Sequence, residues 1–254
     1  MGRLQPSTLR WTALLALVEL GLCAQIAWAW SLDLRWVSVA LVWPALSLLT
    51  VVLLYAGASL GINTGPWMKS SRAAWLQPVL WPYKCVAYAL TVLMRAVRGR
   101  ATAPTQVIDG LWLGMRPFDE EARELEANAV HCIVDLCAEL GPIERLRRAP
   151  FERLEVPTMD RCPPSDEDID RAVQWIAERR AQGQRVYVHC AFGRGRSAML
   201  CAAALLRLGA AKDPHEAMVI LRRARPSVSV KGDQRRALDA WASKRREPSE
   251  GAER

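Results

Sequence analysis

RVYVHCAFGRGRSAMLCAAALL, residues 185–206, decides the fold. Arg185 to His189, with Val186 and Val188 alternating, reads as a buried strand, and Ser197 to Leu208 reads as an apolar helix. Between them lies a glycine-rich turn, Ala191, Phe192, Gly193, Arg194 and Gly195, bracketed by Cys190 and Arg196. Such a turn lets successive backbone N–H groups converge on one anion. The helix N-terminus adds partial positive charge, and a guanidinium grips two oxygens at once. The same field is what a nucleophilic thiolate needs.

Upstream the pattern keeps alternating. Val107 to Leu113 predicts a strand broken by a turn at Asp109 and Gly110. Asp119 to Ala127 predicts a helix and Val130 to Leu136 a continuous apolar strand. Pro142 opens a further helix, Phe151 to Val156 gives a strand, and Ser165 to Ala181 gives a helix with Ile169, Val173 and Ile176 on one face. Asp213 with Pro214 starts another helix, and Gly232 and Asp233 precede the last one. Lys244 onward reads as a charged, disordered tail. Strands alternating with helices predict an α/β domain whose central sheet is mostly parallel, with ligands at the carboxyl ends of the strands.

The string HCAFGRGRS, residues 189–197, resembles the HCxxGxxRS signature of the cysteine-dependent protein tyrosine and dual-specificity phosphatases. The resemblance covers about residues 105–245 and implies a protein-tyrosine-phosphatase-like domain. In that family Cys190 would attack phosphorus to give a phosphocysteine, and residues Ala191, Phe192, Gly193, Arg194, Gly195 and Arg196 would hold the phosphate. Ser197 would hydrogen-bond the sulfur and help it leave, and His189 would support the loop. The resemblance also implies a general acid about thirty residues upstream, and Asp160 in VPTMDRCPPS stands there, to alternate as acid and base. Asp166 and Asp168 compete for that role, but they follow Ser165 at a helix start, where capping explains them. Gly195 departs from the Ser or Ala of many relatives. Arg194 adds a second positive charge that suits a substrate with several anionic groups, or else is a solvated side chain. No cofactor and no metal are implied, and His131 and His215 stand apart from any ligand spacing.

Residues 1–64 have a different composition. Trp11 to Trp30 and Trp36 to Ile62 are apolar runs long enough to cross a hydrocarbon core of about 30 Å. Only Ser31 to Arg35 separates them, so residues 1–64 predict a transmembrane hairpin with both flanks on one side. Two alternatives stand beside this: a signal peptide cleaved after Ala29, and a third span over Ala73 to Met94. The first apolar run exceeds the usual signal core of about 7 to 15 residues. Pro78, Pro82 and Lys84 interrupt the second, which fits an interfacial helix better.

The whole chain carries a net charge of +8, most of it beside the membrane segments. Residues 1–100 hold nine Lys and Arg against two acids: Arg3 and Arg10 before the hairpin, Arg35 in its loop, and Lys69, Arg72, Lys84, Arg95, Arg98 and Arg100 after it. This predicts a basic juxtamembrane segment at 65–104 that faces lipid headgroups, with the catalytic domain, 105–245, in the cytoplasm and a tail at 246–254. Lipid surface, not nucleic acid, is the partner implied. Arg outnumbers Lys twenty-nine to five, which fits a GC-rich bacterial genome and thus an inner membrane.

Glu19 lies inside the first span, where it is expected to hydrogen-bond Gln25, Thr50 or Tyr55, or to join a second copy. The seven cysteines form no disulfide framework. Cys137, in VDLCAEL, resembles the cysteine that pairs reversibly with the nucleophile in the phosphatase and tensin homologue family, and Cys162 is a second candidate. A membrane-anchored phosphatase of dual-specificity type acting on phosphorylated proteins leads the reading. A phospholipid phosphatase, for phosphatidylglycerophosphate or a phosphoinositide, is the alternative. A non-catalytic phosphate-binding module and a sulfurtransferase are disfavoured by the joint presence of His189, Cys190, Arg196, Ser197 and Asp160.

Overall fold

Apolar residues run almost without a break through α1 (Pro6–Ser31) and α2 (Arg35–Ser59), each longer than the roughly 20 residues that cross a bilayer core. The computed structural model describes residues 5–69, 73–99, 103–148 and 150–246. Between α1 and α2 the chain reverses in three residues, with Asp33 in the left-handed region at φ 59°. The two helices pack as an antiparallel hairpin. Glu19 finds a partner one turn along its own helix, the Cys23 thiol at 3.6 Å, instead of one across the hairpin.

The hairpin is docked on the domain that follows it. Val51, Tyr55 and Ala58 of α2 are buried in one cluster with Leu80 and with Met159 and Cys162 of the α/β domain. The short α3 (Gly65–Met68) and a 3-10 turn (Ala74–Leu76) lead into α4 (Gln77–Arg98), which packs along α2. Trp43 and Trp81 stack at 5.9 Å, and the Trp43 indole donates to the Pro78 carbonyl at 3.1 Å.

Two cations of the expected basic segment meet acids of the domain. Lys69 is buried and donates to Asp135 Oδ2 at 2.6 Å, and Arg95 pairs with Glu120 at 3.0 Å and with Glu121. Apolar packing against α2 draws this segment inward, so these charges meet acids of the domain. Arg3, Arg72 and Arg100 lie outside the described residues.

The domain is a five-stranded sheet of order β1-β2-β5-β3-β4. The strands are β1 (Thr105–Ile108), β2 (Leu111–Met115), β3 (Val130–Cys137), β4 (Glu152–Thr158) and β5 (Arg185–Cys190). The pair β1 and β2 is antiparallel, a hairpin around Asp109 and Gly110, and every other pairing is parallel. Side chains of a strand alternate between faces. Leu111, Leu113, Val186, Val188, Cys132 and Val134 therefore pack on one face under α7 (Asp166–Ala181), α8 (Arg196–Arg207), α9 (Pro214–Ala224) and α10 (Asp233–Arg246). Trp112, Tyr187 and Ile133 pack on the other, with Leu125 of α5 (Asp119–Ala127) and Leu146 of α6 (Glu144–Arg147). With both faces covered, the central strands read as apolar throughout, as parallel strands do.

Two expected boundaries move. The helix after Pro142 is one turn, α6, held by the bond between Arg145 and Glu126. The helix α10 continues to Arg246, because Trp241 is buried and donates to Asp170 at 2.9 Å while Lys244 and Arg245 pair with Asp166 and Asp170. Residues 247–254 of the expected tail lie outside the described residues.

Candidate active site

The strand β5 ends at Cys190 and α8 begins at Arg196, so the loop of residues 191–195 carries the chain from a buried strand straight into a helix N-terminus. Gly193 has φ 64°, and a Cβ there would stand 2.3 Å from the Gly114 carbonyl carbon. Only glycine serves both conditions. Gly195, at the N-cap of α8, supplies no side-chain cap, which leaves first-turn amides facing the loop. Cys190 is buried, with its sulfur 3.3 Å from the Ser197 hydroxyl.

The departure at Gly195 has a visible partner. A Cβ there would approach Gln234 Oε1 to 2.7 Å, and the Gln234 amide nitrogen donates to the Cys162 carbonyl at 3.2 Å. The space given up by the loop is filled by α10.

Arg196 is 1% exposed. Its two terminal nitrogens make a fork on Glu139, at 2.8 Å and 2.7 Å, and one also donates to the Thr158 carbonyl at 2.6 Å. Burial works against both charges. The mutual attraction and the paired hydrogen bonds outweigh it, keeping the Glu139 carboxyl below its ordinary range and the guanidinium above its own. Glu139 was not singled out from sequence, although it sits in VDLCAEL. The available signal was the physical requirement that a buried arginine have a carboxylate.

Asp160 follows β4 and reaches back over the loop, with Oδ1 3.2 Å from Arg196 Nη2. It lines the same cleft as Cys190. The next residue, Arg161, holds φ 62°, an uncommon conformation for a side-chain-bearing residue, and its guanidinium lies over the ring of Trp11 from α1 at 3.8 Å. The competing acids are placed elsewhere. Asp168 receives the Ser165 hydroxyl at 2.8 Å while its own amide donates back to Ser165 at 3.1 Å, a helix cap, and Asp166 pairs with Lys244.

His189 is buried, its ring stacked on Tyr187 at 5.7 Å and 3.8 Å from Asp135. Burial lowers its pKa to about 4 against the opposing pull of Asp135, so the ring is neutral at pH 7. Asp135 is held below its usual range: burial would raise it, but His189 and Lys69 prevail. Arg194 lines the cleft with Nε on the Ser227 carbonyl at 3.0 Å, so it is anchored at the rim and not loose in solvent. Cys137 packs beneath Ala191, and burial pushes its thiol well up; burial likewise takes Cys162 to about 12. Among the described residues no group of three His, Cys, Asp or Glu is arranged to hold a metal.

The cleft has a volume of about 510 Å³. Cys190, Phe192, Arg194, Gly195 and Asp160 line it together with Ser7 and Trp11 of α1 and Leu90 and Met94 of α4. The N-terminal helices thus complete a site whose chemical groups come from the domain.

Residues 111–244 match the family described as dual specificity phosphatase, catalytic domain. Phosphatidylglycerophosphatase and protein-tyrosine phosphatase 1 of Mus musculus is 27% identical over 182 residues, 66% of this chain and 92% of the relative. Phosphatidylglycerophosphate phosphatase PTPMT2 of Arabidopsis thaliana is 28% identical over 147 residues, 54% of this chain and 61% of the relative. The crystal structure of PTPMT1 in complex with PI(5)P superposes with a TM-score of 0.51 at 25% identity, covering 56% of this chain and 95% of that one. Tk-PTP in the active form gives 0.52 at 26% identity, covering 56% and 97%.

Proposed function

The chain belongs to the dual-specificity phosphatase catalytic-domain family, and from that premise we propose that it is a membrane-anchored phospholipid phosphatase removing a terminal phosphate from a glycerolipid headgroup of phosphatidylglycerophosphate type. One observation carries the substrate class: Trp11, on a helix apolar enough to span a bilayer, lines the same cleft as Cys190. A phosphate seated there lies beside the membrane helices. The names of the mouse and Arabidopsis relatives support the same class.

The chemistry follows from the placement of groups. The Cys190 sulfur attacks phosphorus in line with the leaving ester oxygen, so a P–S bond forms as the P–O bond breaks. Asp160 gives its proton to the departing oxygen. Arg196, squared up by Glu139, and the loop amides hold the equatorial oxygens as charge moves through the transition state. The Ser197 hydroxyl, 3.3 Å from sulfur, stabilises the sulfur as it leaves in the second step. There the Asp160 carboxylate takes a proton from the attacking water, and inorganic phosphate departs. His189, neutral and buried, stacks on Tyr187 directly before Cys190.

The hairpin of residues 1–64 anchors the enzyme, residues 65–104 join it to the domain, and both flanks lie on the cytoplasmic side, where Arg10 adds positive charge. An inner bacterial membrane suits this arrangement. Hydrolysis of phosphorylated proteins, the leading reading from sequence, is the second reading, favoured by the protein-tyrosine phosphatase in the mouse relative's name. Phosphate release by the full chain in mixed micelles separates the two. Phosphatidylglycerophosphate is expected to have the higher kcat/KM against phosphopeptides, with Cys190→Ser as the blank. A phosphopeptide preference would replace the lipid reading with the protein one.

A further inference from the structure

Part of the cleft lining is apolar, and it belongs to two helices whose apolar faces extend beyond the cleft. On α4, Leu90 and Met94 line the cleft one turn apart. The same face carries Val86, Leu93 and Val97, which are 58%, 56% and 73% exposed. On α1, Trp11 lines the cleft, and Leu14 and Val18 follow at intervals of three and four, 47% and 54% exposed. Spacings of three and four put these residues on one face of each helix. Each stripe therefore includes residues of the cleft lining and extends beyond it, on α4 in both directions, and none of these residues falls in the segment that matches the phosphatase family, 111–244.

Charge is distributed to match. Arg161, Arg194 and Lys231 line the cleft together with the loop, and Trp11, Leu90 and Met94 line it as well. Arg161 lies over the Trp11 ring at 3.8 Å, so the cationic and the apolar halves of the lining meet at that side-chain pair. A ligand that satisfies both halves has an anionic head and a hydrocarbon body. Building on the phospholipid reading above, we propose that Trp11, Leu90 and Met94 form an acyl-chain subsite. In it a glycerolipid phosphomonoester is held with its phosphate at Arg196 and its chains along the α1 and α4 stripes. The N-terminal helices thereby select for the acylated substrate as well as tethering the enzyme.

Burying one methylene is worth about a fourfold change in affinity, so replacing two of the three wall residues by small polar ones is expected to cost about tenfold or more in selectivity. The test uses the full-length protein in mixed micelles and compares kcat/KM for dioctanoyl phosphatidylglycerophosphate with that for its deacylated headgroup, glycerophosphoglycerol phosphate. The wild type is expected to prefer the acylated form. Leu90→Ser with Met94→Ser is expected to lower that ratio about tenfold, mainly through KM for the acylated substrate. The exchange Leu90→Met with Met94→Leu should keep the ratio, as should Val219→Ser on the exposed face of α9.

A second readout does not depend on turnover. Cys190→Ser protein incubated with the same lipid carrying a diazirine at the chain end is expected to be labelled on α1 and α4. Wild-type protein that hydrolyses no lipid phosphomonoester would overturn the lipid reading and the subsite with it. Wild-type protein that hydrolyses the lipid, with a selectivity ratio unmoved in the Ser double variant or label confined to residues 103–246, would overturn the subsite alone. Cross-linking of α4 to a second copy of the chain in place of lipid would assign the stripe to self-association and likewise overturn it.

Discussion

Asp233, at the start of the last helix, caps the first turn of α1: its Oδ2 accepts the Thr8 amide at 2.8 Å and the Thr8 hydroxyl at 3.0 Å. The side chain of Gln5, in the N-cap position of α1, accepts the Thr8 hydroxyl at 3.2 Å but caps no backbone amide, so a carboxylate 225 residues beyond Thr8 supplies the cap. The Ser7 hydroxyl also bonds Asp233 and accepts the Asp233 amide at 3.0 Å, which makes the contact reciprocal. The neighbouring Gln234 fills the space above Gly195. The apolar helix α1 and the loop of residues 191–195 are therefore braced by two consecutive residues.

Replacing Asp233 with Ala removes a helix cap and several bonds to a buried carboxylate. The full chain in detergent is expected to lose about 1–2 kcal/mol of stability, read as a lower Tm, with a fall in kcat on a small aryl phosphate because Gln234 loses its brace. Asn at the same position, which keeps one acceptor oxygen, should recover part of both. An unchanged Tm would mean that α1 is held by its apolar contacts alone.

Asp160→Asn separates acid catalysis from binding. An alkyl phosphate, whose leaving oxygen needs a proton, is expected to slow by about 10²–10⁴-fold, whereas an activated aryl phosphate should slow far less. The ratio of the two rates is the measurement. Equal losses would assign the acid to another group.

Glu139 holds the Arg196 guanidinium in a two-pronged hydrogen bond. Glu139→Ala leaves Arg196 buried without its main counter-charge and is expected to cost about 3–5 kcal/mol, enough to lower expression and Tm together. Glu139→Gln keeps shape and one hydrogen bond, so it should fold while KM for phosphate esters rises. Orthovanadate affinity, which reads the seating of the anion without turnover, should fall in parallel. Normal vanadate binding in Glu139→Gln would mean that the Thr158 and Leu136 carbonyls orient Arg196 unaided.

His189 sets an acid limit on the fold. Its pKa, ordinarily near 6.5, is lowered to about 4 by burial. Between those values the unfolded chain binds a proton that the folded one refuses. Stability is therefore complete above about pH 6.5 and is lost as pH falls toward 4, by about 3 kcal/mol in all. Asp135, whose carboxyl is also depressed, adds a loss at still lower pH, as it becomes protonated. Tm measured from pH 7.5 to 4.5 should fall, and His189→Asn should flatten the upper part of that profile. A wild-type profile flat to pH 5 would show that the ring accepts its proton while folded.

The loop geometry was legible in sequence because it is local. Cys190, Gly193, Arg196 and Ser197 lie within eight residues, and strand-loop-helix periodicity surrounds them. Asp160 was singled out by resemblance, and the fold brings it to 3.2 Å from Arg196. Glu139, Gln234 and Trp11 were missed because their roles depend on which distant elements meet, information that a 3.6-residue or 2-residue period does not carry. The partner of Lys69 was hidden for the same reason: a lysine in a polar string reads as solvated, and only the sheet shows Asp135 beside it. The one-turn α6 and the extended α10 are cases in which tertiary partners moved a boundary that local propensity set elsewhere.

Lys69, driven into the domain just past the hairpin, leaves the anchor no slack. On the membrane-bound reading, the phosphate loop cannot swing out on a tether to sample the surrounding solution, and its height above the lipid is set by the protein itself. Encounters then take place in a plane, at a rate governed by how fast lipids diffuse sideways past a fixed mouth. Turnover should accordingly follow the fluidity of the bilayer and be nearly indifferent to the viscosity of the water above it.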